Sequence, residues 1–203
     1  VTLPPQSLYL RSRGLPGALA ALLGTAALAA WAAWWLVSSP RFGHAARLPV
    51  VILGPLLTAG VIGTSLYTPS DELDRTAVRA WWPRRLVHLL AATALATALL
   101  ALAVPGHAEE FGAPAAVRNT LGLAGVAAGG ASLLGARLSW LPPTFYVGVV
   151  YMTARGEQKG AVWWAWVTRP GPEGEAWAVA AAAFAAGTAL YAWRGARRTS
   201  GEA

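Results

Sequence analysis

The sequence predicts an all-α integral membrane protein of about six transmembrane helices, and three observations carry that prediction. The chain is 56% hydrophobic and 12% charged, about half the charged fraction of a soluble domain. Its apolar runs recur at the roughly 20-residue length that matches a bilayer's hydrocarbon core. Its basic residues sit at the ends of those runs, where they act as topology signals. The 203 residues read as a single transmembrane domain, 1–203, whose loops and tails are too short to fold separately.

The opening VTLPPQSLYLRSRG lacks a signal peptide's apolar centre, so the first apolar run is expected to be retained. A basic lead-in, YLRSRG, lies at the interface before it. Span one covers about 15–37, with Trp31, Trp34 and Trp35 near its far end. Span two, about 48–67, contains Pro49, Pro55, Gly54, Gly60 and Gly63 and is open to kinking. Span three, about 86–104, is nearly all Leu, Ala and Val. Span four, about 117–138, is rich in glycine, and Gly122, Gly125 and Gly129 are expected to pack against another helix, with Gly125-xxx-Gly129 as a small-xxx-small pair. Span five, about 139–154, is short for a crossing. The apolar stretch 161–167 either dips into the interface or re-enters. Span six, about 176–193, ends in a basic tail.

Between spans two and three lies the most polar stretch, residues 65–88, with three of the nine acidic and four of the sixteen basic residues. Its grammar is helical over about 69–82. Thr68 can N-cap, Pro69 suits the first position, and Asp71 completes a capping box. Asp71 and Glu72 fall in the first turn, where the helix dipole favours negative charge, and Asp71 can pair with Arg75. Pro83 stops the helix. Such a segment must lie in water or headgroups. It is either a solvated loop or a docking element, in which Asp71, Glu72, Asp74, Arg75, Thr76 and Arg79 offer a soluble partner both signs of charge.

Sorting the basic residues over six spans puts Arg75, Arg79, Arg84, Arg85, Arg137, Arg194, Arg197 and Arg198 on one side, together with Arg11 and Arg13. The positive-inside rule makes that side cytoplasmic, with both termini. Among candidate chemistries, the sequence has no cysteine, which excludes disulfides and thiol catalysis. His44, His88 and His107 stand apart without metal-ligand spacing. No catalytic constellation or phosphate-cradling loop occurs, so no catalytic residue, no metal and no cofactor on this chain is expected. Nothing ionisable lies in the middle of spans one, three or six, which argues against a proton-coupled carrier. Arg118-Asn119 and Arg137 bracket span four and read as snorkelling anchors. The net charge of +7 fits anionic headgroups rather than nucleic acid.

The stretch SLYTPSDELDRTAVRAWWPRRLVHLL resembles the Glu-x-x-x-Thr segment, followed by a Pro-Arg start of span three, found in membrane subunits of ABC-2-type bacterial ABC exporters; Glu72, Arg75 and Thr76 stand at the matching places. Residues 8–14 look like that family's N-terminal interfacial helix and 161–167 like its re-entrant one. RNTLGLAGVAAGGASLLGARLSWLPP also looks like segments of small actinobacterial permease-type proteins. The sequence departs from the family in its short spans five and six and in lacking a Glu-Arg-Glu-x-Gly run. It carries no Walker motif. The resemblance implies a non-enzymatic permease in the bacterial inner membrane, a homo- or heterodimer with a second permease subunit. A separate ATPase, holding ATP and Mg, would dock on the 69–82 coupling helix. Trp31, Trp34, Trp35, Trp163, Trp164 and Trp166 then either line a substrate path or form interfacial belts. The alternative is a membrane scaffold or immunity-type protein that binds a partner without transport.

Overall fold

The computed structural model of the protein describes residues 15–38, 44–67, 82–106, 110–153 and 163–197. Among them all regular structure is helical. Six α-helices follow in order: α1 (Leu15–Ser38), α2 (Leu48–Ser65), α3 (Trp82–Ala103), α4 (Ala113–Leu134), α5 (Leu141–Thr153) and α6 (Gly174–Arg194). Short 3-10 turns at His44–Arg47, Ala136–Leu138 and Trp166–Thr168 join them.

Prolines and glycines set the boundaries. α2 and α4 each carry a proline in the first turn, where its missing N–H is one of the groups a helix start leaves unbonded anyway. α3 begins at Trp82 and takes Pro83 into its own first turn. It therefore starts earlier than the expected 86. Gly135, at φ 96°, ends α4, because only glycine enters that region without strain. The expected continuous span 117–138 is thus a helix shifted to 113–134 plus a separate turn.

Four of the helices, α1, α2, α3 and α6, are long and apolar enough to cross a membrane. The expected six apolar spans are therefore four by this measure. The 13 residues of α5 reach about 20 Å, short of the roughly 30 Å hydrocarbon thickness. α4 is long enough, at 22 residues, but its Arg118, Asn119, Thr120 and glycines dilute its apolar character. Its position explains how such a sequence is tolerated. α4 is the central helix, packed chiefly on α6 and α2 and also on α3. The apolar windows of α1, α3 and α6 are only 22%, 28% and 28% buried, against 50% for α2, so the outer three present the apolar surface.

Interhelical bonds sort the two ends of the bundle. At one end Arg47 donates to the Pro105 carbonyl and the Gly171 N–H to the Glu110 carbonyl, which gathers the starts of α2, α4 and α6 with the end of α3. At the other, Ser65 lies 3.3 Å from His88 and Arg137 stacks over Tyr67. There too, Arg197 donates to the Leu133 carbonyl. Among the described residues that second end carries Arg84, Arg85, Arg137, Arg194 and Arg197 and no carboxylate, whereas Glu110, Glu173 and Glu175 lie at the first.

α4 and α6 cross at glycine. A Cβ at Gly187 would fall on the Gly125 carbonyl, and one at Gly129 would meet the Gly187 Cα at 3.7 Å. The Gly125–Gly187 approach is available only to residues without side chains, whereas the contact at Gly129 is an ordinary one. Gly24 in α1 has nothing within 4 Å of its Cβ position. Gly187→Ala should therefore lower stability by about 2 kcal/mol or more through overpacking, while Gly24→Ala should raise it by about 0.5–1 kcal/mol. Unfolding midpoints in one detergent check both signs, and equal effects would contradict the crossing.

Candidate functional site

The chemistry of the interior is concentrated in two adjacent residues near the start of α4, Arg118 and Asn119, both 0% exposed. Neither residue belongs in an apolar interior without partners, because an unpaired charge or amide there is costly. Their partners are backbone carbonyls far away in sequence. Arg118 donates from Nη1 to Pro170 O at 2.7 Å, from Nη2 to Arg169 O at 2.6 Å, and from Nε to Asn119 Oδ1 at 3.1 Å. Asn119 Nδ2 donates to Val51 O and to Val167 O, each at 2.8 Å.

The Val51 bond has a local cause. Pro55 sits inside α2, and proline has no N–H to give to the carbonyl four residues before it. That carbonyl belongs to Val51, and the Asn119 amide takes the missing donor's place. The segment 164–171 poses the same problem at larger scale, because it enters the interior with only one 3-10 turn. Tyr146 Oη donates to Trp164 O at 2.7 Å and Trp177 Nε1 to Gly171 O at 2.8 Å. Thr168, through its N–H and its hydroxyl, covers Ala165 O. Irregular backbone is tolerated at membrane depth where protein donors meet its carbonyls.

Apolar contacts fix the same segment. Trp166 is 4% exposed and stacks on Tyr146 with ring centroids 5.7 Å apart. A Cβ at Gly122 would strike the Trp166 ring, so the glycine makes the slot. The Arg169 guanidinium reaches Glu173 at 3.9 Å. The arrangement offers hydrogen-bond donors in fixed directions, and those donors clamp one irregular segment onto α4 and α2.

The residues singled out in the sequence are placed unevenly. Gly122 holds Trp166, Gly125 meets the α6 backbone at Ala183 and Phe184, and Gly129 faces Gly187. The tryptophans are not brought together. Trp31, Trp34 and Trp35 are exposed on α1, Trp163 is exposed, Trp164 is half-buried and Trp166 is interior packing. Arg118 does not snorkel: it is fully buried, because the Arg169 and Pro170 carbonyls are within its reach. Arg137 is exposed at the opposite end. Asp71, Glu72, Asp74, Arg75, Thr76 and Arg79 lie outside the described residues, as do the 8–14 lead-in and residues 161 and 162. No group of three His, Cys, Asp or Glu that could hold a metal occurs among the described residues. Asn119, which the sequence pairs with Arg118 as an interfacial anchor, is likewise buried and bonded to interior carbonyls. Its signal was the pairing of a buried-helix amide with a proline-freed carbonyl in another helix.

Fold and site define a helical membrane protein built around a polar-tipped, glycine-rich central helix. Compared with protein-family models, curated proteins and solved structures, the chain matches none.

Arg118→Met should cost about 3–5 kcal/mol, because two buried carbonyls lose charged donors. Asn119→Leu should destabilise by about 2–3 kcal/mol through the Val51 and Val167 carbonyls. Pro55→Ala restores an N–H for Val51, so the Pro55→Ala/Asn119→Leu double variant should recover about 1 kcal/mol relative to additivity. Strict additivity in unfolding measurements would remove Asn119 from this role.

Proposed function

We propose that the chain is the permease subunit of an ATP-driven exporter of the ABC-2 type, powered by a separate ATPase that docks on the 69–82 segment. One observation carries this reading. The segment bearing Asp71, Glu72, Asp74, Arg75, Thr76 and Arg79 leaves α2 beyond Tyr67 and rejoins α3 at Trp82. It does so at the bundle end where every described charge is an arginine. By the positive-inside rule that end faces the cytoplasm, where an ATPase would be. Both flanking helices pack on α4 and on each other. A push on the segment therefore acts on the core of the bundle.

In this reading α4 crosses the membrane at the centre, shielded by its neighbours, and α5 with the 163–171 segment makes the fifth of six crossings. Both termini are then cytoplasmic. Cargo would pass between two permease copies, since the interior of one copy is filled: Val51, Ile52, Leu123, Ala127, Val150 and Val167 are all 0% exposed. Trp166 is taken up by that packing, which leaves Trp31, Trp34, Trp35 and Trp163 as surface residues for a path or a belt. ATP and Mg belong to the partner subunit. The same closed interior favours a second reading, a membrane scaffold or immunity-type protein that binds a partner without moving cargo.

Charge reversal by Glu72→Arg with Arg75→Glu should abolish co-purification of an ATP-hydrolysing subunit from native membranes while the bundle stays folded. Undiminished co-purification would overturn the docking role. Absence of any such subunit with the wild-type chain would favour the scaffold.

A further inference from the structure

The bundle is not equally tall on all sides. The apolar segments of α1, α3 and α6 are 21 or 22 residues long, about 32 Å of helix, which matches a hydrocarbon layer. α5 has 13 residues, about 20 Å. It also starts inside the arginine-bearing end rather than at it. Pro142 packs at Gly130, Ser139 at Gly63 and Trp140 at Gly60, all short of the last residues of α4 and α2.

One flank of α5 is interior. Pro143, Val147 and Val150 are buried, and Tyr146 lies against Trp166. The opposite flank is exposed. Phe145 is 76% and Met152 81% exposed, and Leu141 and Val149 share that flank. Gly148 has nothing within 4 Å of its Cβ position, and no residue from Leu138 to Thr153 is charged. The exposed hydroxyls of Thr144 and Thr153 donate to Trp140 O and Val149 O. Their donors are thus turned back into the helix, and the flank is left apolar, as a surface bordered by lipid is.

The depth of that flank is marked at both ends. Trp140 and Tyr151 are part exposed, and both are residue types that settle among headgroups. They stand about 17 Å apart along the helix. Beyond Thr153 the sequence turns charged, with Arg155, Glu157 and Lys159, a run that hydrocarbon excludes. Tilting relieves a span that is too long, whereas lipid beside a span that is too short has to thin.

We propose that the exposed flank of α5 gathers a locally thinned bilayer of short or disordered acyl chains, while α1, α3 and α6 border lipid of ordinary length. The inference needs the bundle to lie in a membrane and does not rest on the exporter reading. The rival occupant of the flank is a second copy of the chain.

The test uses the full chain, which has no cysteine of its own. Single thiols are placed by Phe145→Cys and Met152→Cys on α5 and by Ala98→Cys on the exposed flank of α3, and each carries a bimane. The proteins are reconstituted into dioleoylphosphatidylcholine vesicles that hold equal small fractions of brominated dimyristoleoyl- or dierucoylphosphatidylcholine. At both α5 positions the short-chain lipid should quench about twofold more than the long-chain one, and at Ala98→Cys the two should quench alike. Equal quenching by both lipids on α5 would overturn the proposal. So would a short-chain preference of the same size at Ala98→Cys, which would belong to the whole bundle or to the probe. Quenching by neither lipid on α5, with normal quenching at Ala98→Cys, would overturn it in favour of the second copy.

Discussion

The structure depends on a guanidinium and an amide placed where water cannot follow. In hydrocarbon, a backbone carbonyl without a donor costs several kcal/mol, which is why chains normally cross as uninterrupted helices. Between residues 164 and 171 this chain brings irregular backbone into the interior of the bundle, and Arg118 and Asn119 meet carbonyls that no helix satisfies. Two carbonyls go to Arg118, and one of that segment and one of α2 to Asn119. The charge itself is spread over neutral dipoles. Charged donors to carbonyls are stronger than neutral ones, so a single side chain does the work of a missing turn of helix.

Much of the remaining architecture follows from that node. The clamped segment in turn holds α5, whose Tyr146 bonds to Trp164 O and stacks on Trp166. Because α4 must carry the node, it has to be central and shielded, and its glycines then serve close approach to α6 and to Trp166. The apolar helices α1, α3 and α6 are left to meet the bilayer. The arginine-bearing end lies away from the node, joined to it through α2 and α4. In the exporter reading, α2 connects a cytoplasmic docking segment at one end to the clamped segment at the other, with Pro55 between them.

The parts legible in the sequence are those with one physical meaning. An apolar run of membrane length has few other uses, so α1, α2 and α6 fall within about two residues of their expected limits. Gly125 was visible because its partner glycine pattern is local, whereas Gly187, isolated in α6, gave no such signal although it is the tighter contact. Arg118 read as a surface anchor because its partners, Arg169 and Pro170, lie some fifty residues away, and nothing local announces them. α4 illustrates the same limit. Its composition makes it a mediocre lipid-facing span, and only its neighbours show that it need not face lipid.

The most direct test of the central claim exploits the absence of cysteine from the chain. Val167 is 0% exposed and its carbonyl is bonded to Asn119, so a single Val167→Cys thiol reports whether the clamp holds. In native membranes, a small water-soluble maleimide should leave that thiol unlabelled in the otherwise unaltered chain and label it readily once Arg118→Met is added. Ready labelling in both, or protection in both, would contradict a segment held in place by the buried arginine and asparagine.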